Sequence, residues 1–114
     1  MIREGQVVLF RFPQTDQTAG KLRPALVLRR LPGPHDDWLI CMISSQLDQK
    51  VPDFDEVMRP GDGDFVGSGL KAASLVRVSR LAVVAGRLLL GSVGEVSAHR
   101  LSRIRKSLAE WIRP

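Results

Sequence analysis

The sequence contains few of the residues that most often mark a cofactor site or a catalytic centre. Its 114 residues include one cysteine, two histidines, two tryptophans, four phenylalanines and no tyrosine. A lone cysteine excludes an intramolecular disulfide, and no Cys–His cluster has the spacing of a zinc site. A glycine-rich phosphate loop and a G-x-S-x-G nucleophile motif are also absent. The sequence therefore offers no metal ligand set, and we expect no cofactor.

Long apolar runs are missing too. No stretch approaches the roughly 20 apolar residues of a membrane-spanning helix. The N-terminal sequence MIREGQVVLF lacks the basic region, the long apolar segment and the small-residue cleavage site of a signal peptide. Together with the lone Cys41, these absences predict a reduced, cytoplasmic protein. The chain has the length of one domain, and we predict a single domain over residues 1–114.

Positive charge is distributed unevenly along the chain. The formal net charge is +5, but six of the twelve acidic residues lie between Asp48 and Asp64, where Lys50 and Arg59 are the only cations. Outside this acidic segment, fifteen Lys and Arg residues face six Asp and Glu residues. Such an excess favours nucleic acid or an acidic protein segment as the partner. A basic surface that serves only solubility is the alternative on charge alone.

Short apolar runs bounded by turn residues predict a series of β-strands. The first run is rich in β-branched and aromatic residues, which favour strands. After residue 73, Val76 and Val78 point to one face of the sheet, whereas Leu75 and Arg77 point to the other. Strands are predicted at residues 6–12, 24–30, 37–44 and about 54–58, with two or three more within 74–93, and loops at 13–21, 31–37 and 59–64.

The hydrophobic period changes at the C-terminus. Helical spacing begins after Ser97, which is a good N-cap, and Val96 and Leu101 occupy the positions of a hydrophobic staple. We predict a helix over about residues 98–112. Many short strands followed by one helix predict a mainly β fold, a small curved antiparallel sheet or β-barrel closed by a C-terminal amphipathic helix. The apolar face of this helix comprises Leu101, Ile104, Leu108, Trp111 and Ile112, with His99, Arg103, Lys106 and Arg113 on the far side.

The segment KLRPALVL, residues 21–28, places a cation at the entrance of a strand. Pro24 restricts the preceding residue to extended conformations, so backbone sterics hold Arg23 in place. A guanidinium is permanently charged and can bind a phosphate through two parallel hydrogen bonds. A surface arginine that only marks the strand is the structural alternative.

The segment CMISSQL, residues 41–47, ends an apolar strand with polar side chains. Ser44, Ser45 and Gln46 have no packing role at this position. A serine-rich turn explains them structurally, but the order of the two segments along the chain carries more information than either segment alone.

Taken in order, these segments resemble the MazF/PemK family of toxins, the mRNA interferases of type II toxin–antitoxin pairs. The features are EGQVVLFRFPQTD, KLRPALVL, ICMISSQ, GLKAASLVRVSRL and the closing helix, and they span nearly the whole chain. The most specific combination is RPALVL followed by I-[ST]-x-Q. The resemblance implies an SH3-like β-barrel with helical additions, usually a homodimer. It also implies a metal-independent endoribonuclease that cleaves single-stranded RNA and is silenced by a cognate antitoxin.

The resemblance also implies roles for individual residues. The family's active-site arginine corresponds to Arg23, its conserved threonine to Ser44, and the glutamine after it to Gln46. The arginine of a PemK-like Arg-x-Asp pair corresponds to Arg77, but Ser79 takes the place of the aspartate. We therefore expect Arg23 and Ser44 to be catalytic. We expect the substrate-binding residues to be Arg77, Gln46, Ser45, Ser79 and Lys21.

These residue types suit the cleavage of RNA, which carries its own nucleophile in the 2′-hydroxyl. Arg23 would stabilise the pentacovalent phosphorus, and Ser44 would donate a hydrogen bond to a non-bridging oxygen. An arginine keeps its proton at physiological pH and is a poor general base. The resemblance assigns no general base, because Ser79 replaces the aspartate. The expected products are a 2′,3′-cyclic phosphate and a 5′-hydroxyl.

An acidic, disordered antitoxin tail is the expected protein partner. Its carboxylates would imitate phosphates and compete with RNA for the same basic groove. By resemblance, the tail should lie across residues 13–23 and the groove of the dimer. This polar, glycine-containing loop is expected to move when the tail binds.

Two other functions fit parts of the sequence. A non-catalytic RNA-binding barrel, or a degenerate toxin homologue, would need aromatic side chains for base stacking. However, Phe10, Phe12 and Trp38 are better explained as core. A DNA-contacting helix is the second alternative, although its apolar face must pack on the sheet. The cations of that helix are Arg100, Arg103, Arg105 and Lys106.

Overall fold

The computed structural model describes residues 1–11 and 21–113. The predicted end of the first strand at Phe12 and the predicted loop residues 13–20 lie outside the described residues. The strands are β1 (Gln6–Arg11), β2 (Leu22–Arg30), β3 (Asp37–Ser44), β4 (Glu56–Met58), β5 (Ser74–Ala85) and β6 (Leu89–Glu95). The helices are α1 (Phe65–Ser68) and α2 (Ala98–Ile112), with short 3₁₀ turns at Leu47–Gln49 and Gly86–Leu88.

All six strands belong to one antiparallel sheet with the order β4-β5-β3-β2-β1-β6. This confirms the mainly β class with a C-terminal helix. The sheet is not closed into the predicted barrel, since no ladder joins the described strands β4 and β6. β4 is only three residues long and pairs with β5. Alternating apolar residues look the same in an open and a closed sheet, so the sequence did not distinguish them.

The predicted elements agree closely with the observed ones. β3 and α2 have the predicted bounds, and the two or three strands predicted within residues 74–93 are two, of which the second extends to Glu95. β4 begins later than expected because the chain first makes a turn, in which the N–H groups of Phe54 and Asp55 donate to the Val51 carbonyl. The short helix α1 was not predicted, since four residues are too few to show a helical period.

An apolar cluster lies on each face of the sheet, because successive strand residues alternate between the faces. The helix-side cluster includes Leu26, Cys41 and Val76, and α2 covers it with three buried side chains. The smaller site-side cluster lies on the opposite face. Its buried members are Val8, Phe10, Ala25, Val27, Trp38, Ile40 and Leu89.

The helix α2 begins as the sequence predicts. The Ser97 hydroxyl accepts a hydrogen bond of 3.0 Å from the Arg100 N–H, which confirms the N-cap. Val96 and Leu101 are both buried in the helix-side cluster, as expected of a hydrophobic staple. Within the described part of the chain, no helix is long and apolar enough to cross a membrane.

The last turn of α2 departs from the predicted apolar face. Trp111 and Ile112 are 66% and 64% exposed, respectively, although both lie at helical spacing with the buried residues. The Trp111 ring contacts Phe54, with 5.8 Å between the ring centroids. Periodicity assigned these residues to the buried face, but it carries no information on where the sheet beneath the helix ends.

The acidic segment provides the partners for the cations of α2. The Arg100 guanidinium donates to the carboxylates of Glu56, Asp62 and Asp64 over 2.8–3.1 Å. Arg103 also donates to Glu56. We call these five residues the acidic latch, because they join α2 to β4 and to the loop that follows it. Arg105 donates to Glu4 and to the Leu28 carbonyl.

These contacts disfavour the DNA-contacting helix considered from the sequence. Three of its four proposed cations are occupied by carboxylates of the same chain, and Arg100 is buried. The helix therefore directs these charges into the protein, and the acidic segment that reduces the net charge is part of the fold.

Two glycines allow α1 to pack directly on the backbone of β6. Gly69 has a φ of 75°, and a side chain there would clash with the Val93 carbonyl. A side chain at Gly94 would clash with the backbone of Gly67 and Ser68. The contact between the two segments therefore depends on the absence of side chains at both positions.

Candidate functional site

Arg23 lies near the start of β2, on the face of the sheet opposite α2. It pairs with Phe10 of β1, whose side chain belongs to the site-side cluster. The residue is exposed, and its guanidinium has no hydrogen-bond or ion-pair partner among the described residues. A charged group at a strand entrance with its donors free is suited to bind an anion.

Ser44 lies at the end of β3 on the same face as Arg23. Ala25 of β2 pairs with Met42 of β3, and Arg23 and Ser44 each lie two residues further towards the same end of the sheet. The Ser44 Oγ accepts a hydrogen bond of 3.0 Å from the Gln46 N–H. This bond occupies the oxygen as an acceptor and leaves the hydroxyl hydrogen free to donate.

Arg77 joins the same face from β5. It pairs with Met42 on the strand that carries Ser44. Its Nη1 donates to the Gln49 Oε1 over 2.9 Å, and the Gln49 Nε2 donates to the Gln46 Oε1 over 3.2 Å. A chain of hydrogen bonds thus connects Arg77 through two glutamines to the turn that holds Ser44.

One buried nitrogen of Arg77 makes no hydrogen bond. It is the Nε, which has no hydrogen-bond partner in the described structure. Buried donors in folded proteins are nearly always paired with protein, water or ligand. The nitrogen is therefore an unsatisfied donor, and the Arg77 side chain has to turn before a ligand can reach it.

A bulge in β5 follows Arg77 directly. Met42 pairs with Arg77 but Cys41 pairs with Leu81, so residues 78–80 have no partner on β3. Inside this bulge, the Ser79 N–H donates to the Asp55 Oδ1 over 2.9 Å, and the Ser79 hydroxyl donates to the Asp55 Oδ2 over 3.0 Å. The position of the PemK-like aspartate thus carries a serine that is bonded to a carboxylate from another segment.

The remaining predicted site residues are exposed. Lys21 immediately precedes β2, and Ser45 lies between Ser44 and Gln46 in the turn after β3. Neither side chain has a partner among the described residues. The structure brings the predicted residues of β2, β3 and β5 to one end of one face, and it leaves Lys21 and Ser45 at the rim.

Two residues of this region, Gln49 and Asp55, were not predicted. Both lie in a polar, acidic stretch that reads as a solvated loop. Gln49 contacts Arg77 across 28 sequence positions, and Asp55 contacts Ser79 across 24. The only signal for Asp55 was its place within a short predicted strand, at about residues 54–58, which did not indicate a partner.

The strongest shifts in acidity lie outside the candidate site. Hydrogen bonds from Arg100, and one from the Ser97 backbone, lower the pKa of Asp64 to about 2. Burial, with the charge of Asp55 adding to it, raises the pKa of the Cys41 thiol. In the described ranges, no three His, Cys, Asp or Glu residues are grouped so that they could hold a metal ion.

Comparisons with known proteins identify the family and the fold of the chain. Residues 3–112 match a family model described as PemK-like, MazF-like toxin of type II toxin-antitoxin system. No curated protein matches the sequence. Among solved structures, an endoribonuclease in complex with its cognate antitoxin, from mycobacterial species, is similar in fold, with a TM-score of 0.64 and 16% sequence identity. The likeness covers 100% of this chain and 98% of that chain.

The family match covers nearly the whole chain, and it includes the described strands and helices. The resemblance seen in the sequence is thereby confirmed. The chain belongs to the PemK-like, MazF-like family of toxins from type II toxin–antitoxin systems.

Proposed function

We propose that this toxin cleaves single-stranded RNA without a metal ion, through attack of a 2′-hydroxyl on the adjacent phosphate. Three groups on one face support the proposal: the free guanidinium of Arg23, the free hydroxyl hydrogen of Ser44 and the unpartnered Nε of Arg77. All three are hydrogen-bond donors. A phosphodiester presents only acceptors, so its oxygens match this set.

Arg23 and Ser44 carry out the chemistry in this proposal. The 2′-oxygen forms a bond to phosphorus as the bond from phosphorus to the 5′-oxygen breaks, and one proton passes overall from the 2′-oxygen to the 5′-oxygen. Arg23 stabilises the negative charge that grows on the non-bridging oxygens, and Ser44 donates a hydrogen bond to one of them. The products are a 2′,3′-cyclic phosphate and a 5′-hydroxyl.

Arg77 and Gln46 bind the RNA in this proposal, with Ser45, Ser79 and Lys21 as further contacts. Arg77 binds one phosphate through its guanidinium, which turns to bring the unpartnered Nε to the ligand. Gln49 is an additional candidate contact. If its side-chain amide gives up the hydrogen bond to Gln46, the amide can donate a hydrogen bond to a base edge or accept one from it. Phosphate contacts of this kind position the nucleic acid without reading its sequence.

The partner of the toxin is an antitoxin, and we propose that an acidic tail of that antitoxin covers the same face. We further propose that the toxin acts as a cytoplasmic homodimer built from single domains over residues 1–114. The fold likeness to an endoribonuclease bound to its antitoxin supports the partner class. The excess of cations outside the acidic segment supports an anionic tail.

Cleavage of single-stranded RNA in the presence of a chelator tests the proposal. The purified toxin should cut RNA in EDTA, and its fragments should accept phosphate at their 5′ ends without prior dephosphorylation. Arg23→Ala should reduce the single-turnover rate by about a hundredfold or more. Arg29→Ala is the matched control, because it removes an exposed arginine from the other end of β2 and should cut normally.

Three results would contradict the mechanism. Cleavage that appears only on adding magnesium would refute the metal-free reaction. Cleavage of a substrate that lacks the 2′-hydroxyl at the cut site would refute the nucleophile. Full activity of Arg23→Ala would show that this arginine only marks the start of a strand.

One alternative has a specific observation in its favour. Ser79 stands where PemK-like members carry an aspartate, which is consistent with a homologue that binds RNA without cutting it. Phe10 and Trp38 are buried, as expected, and so provide no stacking platform. Binding of RNA without cleavage at any enzyme concentration would support this alternative.

A further inference from the structure

Asp55 is a buried carboxylate with an unusual number of bonds for a residue at the start of a strand. It is only 4% exposed. Its two oxygens accept from the Ser79 N–H, from the Ser79 hydroxyl and from the Val51 N–H, each over 2.9–3.0 Å. Buried charges are stable only when they are paired or fully hydrogen-bonded, and these three donors satisfy that requirement.

The donors belong to the two segments that hold the Arg77–Gln49 pair. Ser79 follows Arg77 by two residues, and Val51 follows Gln49 by two residues. The carboxylate therefore ties the bulge of β5 to the turn before β4, two residues along each segment from the bond between Arg77 Nη1 and Gln49 Oε1. No other hydrogen bond described in the structure joins residues 78–80 of the bulge to residues 51–55 of the turn.

The bulge needs such a tie. The strand β3 offers no pairing partner to residues 78–80, so the Ser79 N–H would otherwise be left without its ladder bond. Bulged residues re-aim the side chains next to them, and here the adjacent side chain is Arg77. Asp55 supplies both of the hydrogen bonds that Ser79 makes inside this bulge.

We propose that Asp55 is a positioning residue for RNA binding, acting on Arg77 through Ser79. The substrate part of this inference rests on the proposed function, because RNA is the ligand that Arg77 would hold. The chain has no carboxylate next to Arg77 on β5. Instead, the carboxylate of Asp55, from the turn before β4, fixes the backbone at Ser79 and does not touch the substrate.

A double-mutant cycle tests this role. Binding of short 2′-O-methyl RNA of mixed sequence, which lacks the nucleophile, is measured by fluorescence anisotropy for Asp55→Asn, Arg77→Ala and the double variant. Asp55→Asn should weaken binding about three- to tenfold, the equivalent of one hydrogen bond. In the Arg77→Ala background, the same change should weaken binding by less than about twofold, because the residue through which it acts is gone.

A matched control and a second variant accompany the cycle. Asp53→Asn makes the same chemical change two residues away, at an exposed position whose φ of 63° suits asparagine, and it should bind RNA normally. If Asp55→Asn does not fold by circular dichroism, Asp55→Glu replaces it in the cycle. That variant keeps the carboxylate but displaces it by one methylene from its three donors, and the same dependence on Arg77 is expected.

Equal weakening in both backgrounds would overturn the inference, because a general structural defect acts without Arg77. Unchanged binding by Asp55→Asn would overturn it too. A readout without RNA separates this inference from the proposed function: the NMR signal of the Arg77 Nε–H, assigned by its loss in Arg77→Ala. In Asp55→Asn that proton should exchange faster with water. An unchanged signal would refute the positioning role even if the chain did not bind RNA at all.

Discussion

Replacing Arg100 by methionine should destabilise the fold more than any other single change in the acidic latch. The guanidinium makes four hydrogen bonds to three carboxylates. The side chains of Arg100 and Asp64 are only 9% and 10% exposed. Methionine has a similar length but no charge, so the carboxylates would face one another without their main cation.

The magnitude follows from burial. Removing one partner of a buried ion pair costs about 3–5 kcal/mol. We expect the lower end, about 3 kcal/mol, because Asp62 is partly solvated and Arg103 still neutralises Glu56. For a domain of this size that loss lowers the melting temperature by about 12 °C. Arg103→Met is the control, and it should cost about 1 kcal/mol or less because that arginine is half-exposed.

The effect should also depend on pH in a defined direction. Hydrogen bonds from Arg100, with a smaller contribution from the Ser97 N–H, lower the pKa of Asp64 from its ordinary value of 3.8 to about 2. A lowered carboxyl pKa gives stability that is present above pH 3.8 and is lost as the pH falls towards about 2, and here it amounts to about 2 kcal/mol. The difference between the wild type and Arg100→Met should therefore shrink as the pH is lowered from about 5 to about 2.

Urea unfolding at a fixed protein concentration, followed by circular dichroism at several pH values, measures both quantities. A loss below about 1 kcal/mol at neutral pH would show that the latch is no stronger than a surface ion pair. A difference that stays constant on acidification would show that Asp64 is not the titrating partner of Arg100.

Three further predictions concern the site. Ser44→Ala should slow single-turnover cleavage by about a hundredfold. Ser44→Thr keeps the hydroxyl and should cut at nearly the wild-type rate. An equal loss of rate in both variants would show that the hydroxyl has no catalytic role. Arg77→Ala should weaken RNA binding and reduce the slope of log affinity against log salt by about one, with the rate at saturating RNA preserved; a collapse of that rate would assign Arg77 to the chemistry. Finally, an acidic antitoxin tail should displace 2′-O-methyl RNA competitively, as native mass spectrometry can show. A stable ternary complex with RNA at Arg23 and the tail on the same face would exclude direct competition.

Local sequence signals predicted most of the fold. The helix α2 was predicted with its observed bounds because its period, its cap at Ser97 and its staple all lie within a few residues of one another. The strands were predicted from short apolar runs that are bounded by Pro and Gly. The exposure of Trp111 and the absence of closure between the described strands β4 and β6 were not predicted. Both depend on how far elements that are distant in the sequence extend.

The site residues also divide into those with a local sequence signal and those without one. Arg23 and Ser44 were predicted because their two segments, taken in order, resemble those of the family, and both residues lie on one face of the sheet. Asp55 was missed because its role arises from a contact with Ser79, far along the chain, across a bulge that no local pattern indicates. The acidic segment was interpreted as a break in the basic surface, whereas Glu56, Asp62 and Asp64 are structural partners of α2.

The burial of Cys41 has a practical consequence for studying this toxin. The residue is fully buried between neighbouring strands, and the raised pKa of its thiol keeps it in the unreactive protonated form. Maleimide dyes should therefore not react with Cys41 in the native state. A cysteine introduced near Lys21 or in the turn after β3 can then be labelled without first replacing Cys41. Because reagents reach Cys41 only when the central strands separate, the rate of its modification would also report how often the whole sheet opens.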